Sequence, residues 1–184
     1  MSREEQWKYE KAYSTLDTYR MGSARYSLVQ EDIAAMERGL RYLDVGCGRG
    51  ETLHMATQAG LEAWGVEIVP ELLTDRIVDA DVDSLPFDDD AFHYVSCYDV
   101  LEHLPPGSEQ RALDELGRVC SKQLTLSTNN KPSFLPTGED LHINKRERVV
   151  WEDDIRTRWG NQAHIFYKGY GHLNTEWHWR IVWQ

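Results

Sequence analysis

Asp99, Glu102 and His103, in the stretch DVLEHLPPG, are the residue types best suited to moving a proton or holding a cation. If residues 99 to 103 form a helical turn, these three side chains share one face at i, i+3 and i+4. Pro105 and Pro106 then end or redirect the turn. Two chemistries are open. His103 can serve as a general base, since imidazole titrates near neutral pH, with Glu102 as its catalytic companion. Alternatively the set ligates a divalent cation, where carboxylates with an imidazole suit Mn²⁺, Fe²⁺ or Zn²⁺ better than Mg²⁺. His142, in GEDLHINKRE, offers a further nitrogen for such a site. One imidazole nitrogen of His103 cannot do both jobs.

A second constellation begins at YLDVGCGRGE, residues 42 to 51. Glycines at such a turn let backbone approach a ligand closely and adopt positive φ. The helix that follows presents free N–H groups and a positive dipole end. The dinucleotide fingerprint has the spacing G-x-G-x-x-G, but here Gly46, Gly48 and Gly50 are followed by Glu51 at the sixth position. Glu51 and Asp44 would repel a pyrophosphate, whereas Asp44 suits a cationic ligand. Glu67, at the end of the next strand, is placed to accept from both ribose hydroxyls. Asp81, after the third strand, can accept from an adenine amino group while the Val82 N–H donates to the ring. Three acids at three successive strand ends describe a cationic nucleoside rather than a dinucleotide.

These residues need a scaffold that lines strand ends up on one edge. Short apolar runs alternate with helical stretches: LRYLDV, EAWGVEI, RIVDADV, FHYVSCYDV and KQLTLST read as strands. ETLHMATQAG and SEQRALDELGRVC read as helices, the second with Ala112, Leu113, Leu116 and Val119 on one face. VPELLTD leaves room for little more than a helical turn. Before the first strand, the spacing predicts one amphipathic helix over the first twenty residues and another over Leu28 to Glu37, ended by Gly39. Tyr9 and Tyr13 are expected to pack on the sheet, and Tyr19 and Arg20 to serve as a lid. AHIFYKGYGH and TEWHWRIVWQ read as an antiparallel pair, with Trp177, Trp179 and Trp183 as core and sheet face. The fold class is therefore α/β, a Rossmann-like doubly wound, mostly parallel seven-stranded sheet with a C-terminal antiparallel hairpin. One domain spans 1–184: a helical cap or lid (1–38), a cofactor-binding core (39–128), and a substrate-side loop with the terminal strands (129–184).

Over about residues 25 to 128 the sequence resembles the class I S-adenosylmethionine-dependent methyltransferases. The resemblance rests on LDVGCGRG, GVEIVPEL and DVDSLPFDDDAFHYVSCYDVLEHL. It implies S-adenosylmethionine as cofactor, with the methionine end at Asp44, Gly46, Cys47 and Gly48. It also implies Ile68 against adenine and backbone around Cys97 at the methionine amino group. The usual Lys-Pro-Gly-Gly turn before the fifth strand is missing, and SKQLTL enters directly. The order Asp-x-x-Glu-His, LSTNN and a downstream His is similar to two metal-assisted groups, the small-RNA 3′-terminal ribose methyltransferases and the ubiquinone-pathway O-methyltransferases. Carried over, the ligands of a Mg²⁺ or Mn²⁺ ion would be Asp99, Glu102, His103 and His142. Asp99 stands where the first group has a glutamate, and TNN replaces a Thr-Pro-Asn pattern.

A formal net charge of −11 argues against extended nucleic-acid binding, which needs a basic footprint; Lys145, Arg146 and Arg148 read as a solvated basic loop. Cys47, Cys97 and Cys120 lack CxxC pairing and fit free thiols in a reducing compartment. The charged, acidic start is unlike a targeting peptide, and no apolar run reaches bilayer length, so a cytoplasmic protein is expected. The expected acceptor is a small-molecule or saccharide hydroxyl. The alternatives are a metal-assisted RNA 3′-terminal ribose 2′-O-methyltransferase, a non-catalytic S-adenosylmethionine-binding subunit, and a nucleotide-dependent oxidoreductase disfavoured by the glycine spacing.

Overall fold

The computed structural model describes residues 6–16, 23–170 and 176–184. Tyr19, Arg20 and His172 lie outside the described residues. One seven-stranded sheet organises the chain, in the order β3-β2-β1-β4-β5-β7-β6. Strands β1 (Arg41–Val45), β2 (Glu62–Glu67), β3 (Ile77–Asp79), β4 (Phe92–Tyr98) and β5 (Cys120–Asn129) run parallel. β7 (Glu176–Trp183) pairs antiparallel with β5, and β6 (Ala163–Tyr170) antiparallel with β7 at the edge. No helix among the described residues is long and apolar enough to cross a membrane.

Both faces of the sheet are covered, which explains why its central strands read as nearly unbroken apolar runs. Tyr42 and Tyr94 point to one face, where they pack with Val29 and Ile33 of α2 (Ser23–Ala34) and with Leu53 and Ala56 of α3 (Glu51–Gln58). Leu43 and Val95 point to the other. There they meet α1 (Gln6–Thr15), the Leu113 and Leu116 face of α4 (Glu109–Arg118), and α5 (Arg148–Trp159). Trp177 and Trp179 are buried in that same core, as expected of sheet-face tryptophans. The link from β2 to β3 shrinks to a single 3₁₀ turn, Pro70–Leu72.

Three elements depart from the sequence reading. α2 starts five residues before Leu28 and stops at Ala34, because its buried stripe includes the charged Arg25 and Asp32 and so escapes an apolar pattern. Gly39 does not cap it; with φ at 80° its N–H donates to Gly60 O (2.8 Å) and sets the entry to β1. α5 lies inside the segment read as a loop. Trp151, Ile155 and Trp159 are its only buried residues, an i, i+4, i+8 stripe amid exposed charges. The basic residues there are matched to acids: Lys145 to Asp140, Arg146 to Glu109 (3.1 Å) and Asp154 (2.7 Å), Arg148 to Glu152.

Asp32 holds α2 against the far end of the sheet. Its carboxylate is 1% exposed and meets His178 Nε2 at 2.8 Å and Arg180 Nε at 3.1 Å, both on β7, with the Tyr98 hydroxyl at 3.5 Å. Asp32→Ala would strand the buried His178 and leave Arg180 to solvent. The expected loss is about 3 kcal/mol, the low end for a broken buried pair, because Arg180 is partly exposed. Urea unfolding measures it; a loss below about 0.5 kcal/mol, the range of ordinary surface changes, would refute the anchoring role.

Candidate functional site

The glycine turn leaves β1 at Val45 and enters α3 at Glu51. Gly46, Gly48 and Gly50 all have positive φ, at 75°, 52° and 78°. Gly46 also leaves no room for a side chain: a Cβ there would sit 2.3 Å from Val100 Cγ2. The turn is thereby pressed against the residue that precedes Leu101–His103, so the two constellations read from the sequence form one site. Gly46 and Cys47 donate to Val66 O (2.8 and 3.1 Å), and Gly48 N donates to Glu67 Oε2 (3.0 Å).

The strand-end acids are buried. Asp44 is 3% exposed and accepts from Ser96 Oγ at 2.5 Å. Burial raises its carboxyl to about 7, against the pull of hydrogen bonds from Ser96 and Thr52. Glu67 is also pushed up by burial, while Ile68 N (2.8 Å), Val69 N (3.2 Å) and Gly48 N oppose the shift. Asp81 lies two residues beyond β3 and is half-buried. Ile68 and Val82 are closed over and line a small cavity of about 10 Å³ with Gly46 and Glu67. The Cys47 and Cys97 thiols are driven far up by burial and are inert as nucleophiles.

A larger cavity of about 280 Å³ opens beside the turn. Cys47, Gly48, Arg49 and Thr52 form one wall, and Asp99, His103, Asn129 and His142 the other. α1 meets this region with two tyrosines one turn apart, of which Tyr13 lines the cavity. Tyr9 sets its ring edge-on to His103, centroids 5.3 Å apart. Tyr13, expected only to pack on the sheet, lines the cavity: its hydroxyl would lie 2.5 Å from a Cβ at Gly48, and Arg49 covers its ring and donates to its carbonyl (2.9 Å).

Leu101–His103 forms a 3₁₀ turn, and Asp99 before it has φ of 52°. That twist takes Asp99 off the face it was expected to share with Glu102 and His103. Its carboxylate pairs with Arg25 of α2, accepts from Ser127 Oγ (2.8 Å) and lies 3.4 Å from Asn129 Nδ2. Glu102, His103 and His142 do come together, one donor atom from each within 4.8 Å of the others. Glu102 is fully buried; Oε1 accepts from Asn129 N (3.2 Å) and Nδ2 (2.9 Å), and Oε2 has no hydrogen-bond partner. Burial lifts Glu102 to about 8. His103 Nδ1 faces Leu141 O at 2.8 Å, and His142 Nδ1 faces Lys131 O at 2.5 Å. A carbonyl can only accept, so both rings carry their proton on Nδ1 and keep a lone pair on Nε2. Burial, then the neighbouring His142, takes His103 down to about 3, and burial also lowers His142.

Sequence reasoning missed Asn129 and Arg25. Asn129 ends β5 where TNN departs from the expected pattern, a usable signal. Arg25 announces itself only through its seven-residue spacing to Asp32.

Residues 43–126 match a family model described as a methyltransferase domain. No curated protein sequence matches the chain. The structure is similar to magnesium protoporphyrin IX methyltransferase from Synechocystis PCC 6803 with bound S-adenosylhomocysteine. There the TM-score is 0.71 at 16% identity, covering 98% of this chain and 96% of that one. It is also similar to a Haloferax volcanii complex of the Trm112 methyltransferase activator and a putative methyltransferase (0.70, 14%, covering 98% and 97%). An S-adenosylmethionine-dependent methyltransferase from Mesorhizobium loti gives 0.67 at 12%, covering 88% and 98%. The match over residues 43–126, the sheet order and the glycine turn agree in giving the chain a methyltransferase-domain segment within a Rossmann-like architecture.

The raised carboxyl of Asp44 gives a pH signature. Unfolded, it titrates near about 3.9; folded, at about 7. A raised value means extra stability below the unfolded value, lost as pH climbs through the folded one. Asp44→Asn removes that titration. The variant's melting temperature relative to wild type, both free of cofactor, should therefore rise from pH 4 to pH 8. A difference that stays flat with pH would show that Asp44 is not held protonated.

Proposed function

We propose that the chain is an S-adenosylmethionine-dependent methyltransferase that methylates a hydroxyl oxygen of a small molecule or saccharide, with a divalent cation held by Glu102, His103 and His142. The observation that carries the reading is the donor set itself: one carboxylate and two neutral imidazoles converge, each imidazole oriented by a backbone carbonyl on its other nitrogen. The unpartnered, buried Oε2 of Glu102 fits a ligand in the same place. A bound Mn²⁺, Fe²⁺ or Zn²⁺ would lower the pKa of a hydroxyl beside it. Asp99, committed to Arg25, stands outside this set.

In methyl transfer the acceptor oxygen bonds to the methyl carbon as the carbon–sulfur bond breaks. Sulfur keeps the electron pair, and the hydroxyl proton must leave. On this reading Asp44 faces the ammonium of the methionine end, over backbone at Gly46, Cys47, Gly48 and Cys97. Glu67 takes the ribose hydroxyls, Asp81 and Val82 the adenine edge, and Ile68 its face. His103, with burial holding it near pH 3, is a poor proton acceptor and a good neutral ligand, which favours the cation over the general-base reading. The pairing of Lys145, Arg146 and Arg148 with acids disfavours the RNA-end alternative.

Calorimetry with S-adenosylhomocysteine tests the cofactor half: Asp44→Ala and Glu67→Ala should each abolish measurable binding, and unchanged affinity in both would refute the assignment. Metal analysis of the purified chain, followed by Mn²⁺ titration after chelation, tests the other half. Mn²⁺ binding is expected in wild type and lost in His103→Ala and His142→Ala. Full methyl transfer by chelated enzyme to catechols or sugars would return His103 to the role of base. Transfer only to nitrogen, sulfur or carbon acceptors would overturn the hydroxyl reading.

A further inference from the structure

Arg25, Leu28, Val29 and Asp32 recur at i, i+3, i+4 and i+7, so they leave α2 on one side. Leu28 and Val29 are buried, and Asp32 fastens the helix to β7. Two turns earlier, on the same side, Arg25 enters the wall of the 280 Å³ cavity and pairs with Asp99, both side chains 15% exposed. Its charge is felt at Glu102, His103 and His142 alike. The guanidinium therefore borders the same cavity as the glycine turn, His103 and His142, the space a methyl acceptor would enter.

We infer that Arg25 binds the acceptor through an anionic group: the acceptor carries a carboxylate or phosphate close to its reacting hydroxyl, and that group takes the place of Asp99 on the guanidinium. The inference rests on the hydroxyl-methylation reading and adds the substrate class to it. The exchange does not strand Asp99. Its carboxylate keeps the hydrogen bond from Ser127 Oγ and the neighbouring amide of Asn129, so breaking the ion pair does not leave a bare buried charge. A guanidinium offers five donors in a planar fork that matches carboxylate and phosphate oxygens. Asp32 adds precision, because a helix fixed at its other end holds Arg25 to one position. Arg49, the other arginine lining the cavity, covers the Tyr13 ring and donates to the Tyr13 carbonyl.

The test is calorimetry on the full chain saturated with S-adenosylhomocysteine, using two matched pairs of probes. Salicylate against salicylamide reads a carboxylate, and glycerol 3-phosphate against glycerol reads a phosphate. At least one anionic probe should bind roughly tenfold or more tightly than its neutral partner, the usual strength of a charge-assisted pair. Arg25→Gln should erase that difference and Arg25→Lys restore part of it, with S-adenosylhomocysteine affinity within about twofold of wild type. Equal or absent binding of charged and neutral members in the wild type overturns the inference, without recourse to any variant. Weaker S-adenosylhomocysteine binding in Arg25→Gln with the probe preference intact would assign the guanidinium to the cofactor's own carboxylate instead. Failure of the wild type to bind S-adenosylhomocysteine would overturn the underlying cofactor reading, and this inference with it.

Discussion

Burying carboxyl groups at the end of a sheet without enough cations to match them is the constraint on which this structure turns. Asp44, Glu67 and Glu102 are each at most 3% exposed, and burial pushes the titration of all three upward. In the folded chain they are kept by hydrogen bonds from Ser96, from the amides of Gly48, Ile68 and Val69, and from Asn129. A carboxyl so placed favours a positively charged partner that can bring its own charge into the low-dielectric interior. On the proposed function, the ammonium and sulfonium of S-adenosylmethionine would meet that demand on one side of the cavity. A metal ion would meet it on the other. The fold thus pre-pays in stability for a site that is most comfortable when loaded.

The same constraint explains why the surrounding contacts are tight. Gly46 lies so close to Val100 that a side chain there would collide with it, which sets the glycine turn against the residue before the 3₁₀ turn carrying Glu102 and His103. α2 is fastened at both ends, by Asp32 to β7 and by Arg25 to the residue after β4. The antiparallel hairpin then has a functional part: His178 and Arg180 hold the helix whose other end faces the reaction space. Packing and chemistry share these residues, so loss of either should be felt in both.

How much of this the sequence disclosed follows from how local each signal is. The strand-end set proposed for the cofactor was legible as a spatial cluster because its parts sit in short contiguous motifs, Asp44 to Gly50, Glu67–Ile68 and Asp81–Val82, and strand order brings them side by side. Glu102 and His103 were legible as neighbours, and His142 as a stray imidazole. Their convergence depends on the path of residues 130–142, where Leu141 N returns to Ser133 O, and no spacing rule encodes that. Asp99 was misplaced because a shared face presumes α-helical geometry, and a positive φ at that residue breaks it. α5 and the start of α2 escaped because their buried stripes are narrow or include charges that tertiary partners neutralise.

The fold leaves the acceptor open, since sites rather than folds decide substrates, and similarity at 12–16% identity extends to the architecture alone. The candidate acceptor side of the cavity is lined by Arg25, Asp99, Asn129 and His142. Each comes from a different place in the chain: α2, the end of β4, the end of β5 and the loop beyond it. A strongly acidic protein that keeps an arginine in that wall, held to one carboxylate while three other acidic or imidazole groups sense it, has spent scarce positive charge where it can choose a ligand. Its overall charge of −11 repels anions at long range, but screening confines that repulsion to about a Debye length of 8–10 Å. Inside the cavity the charge nearest an entering anion is that of Arg25, so on the inference drawn above acceptor choice would follow this one guanidinium and not the protein's net charge.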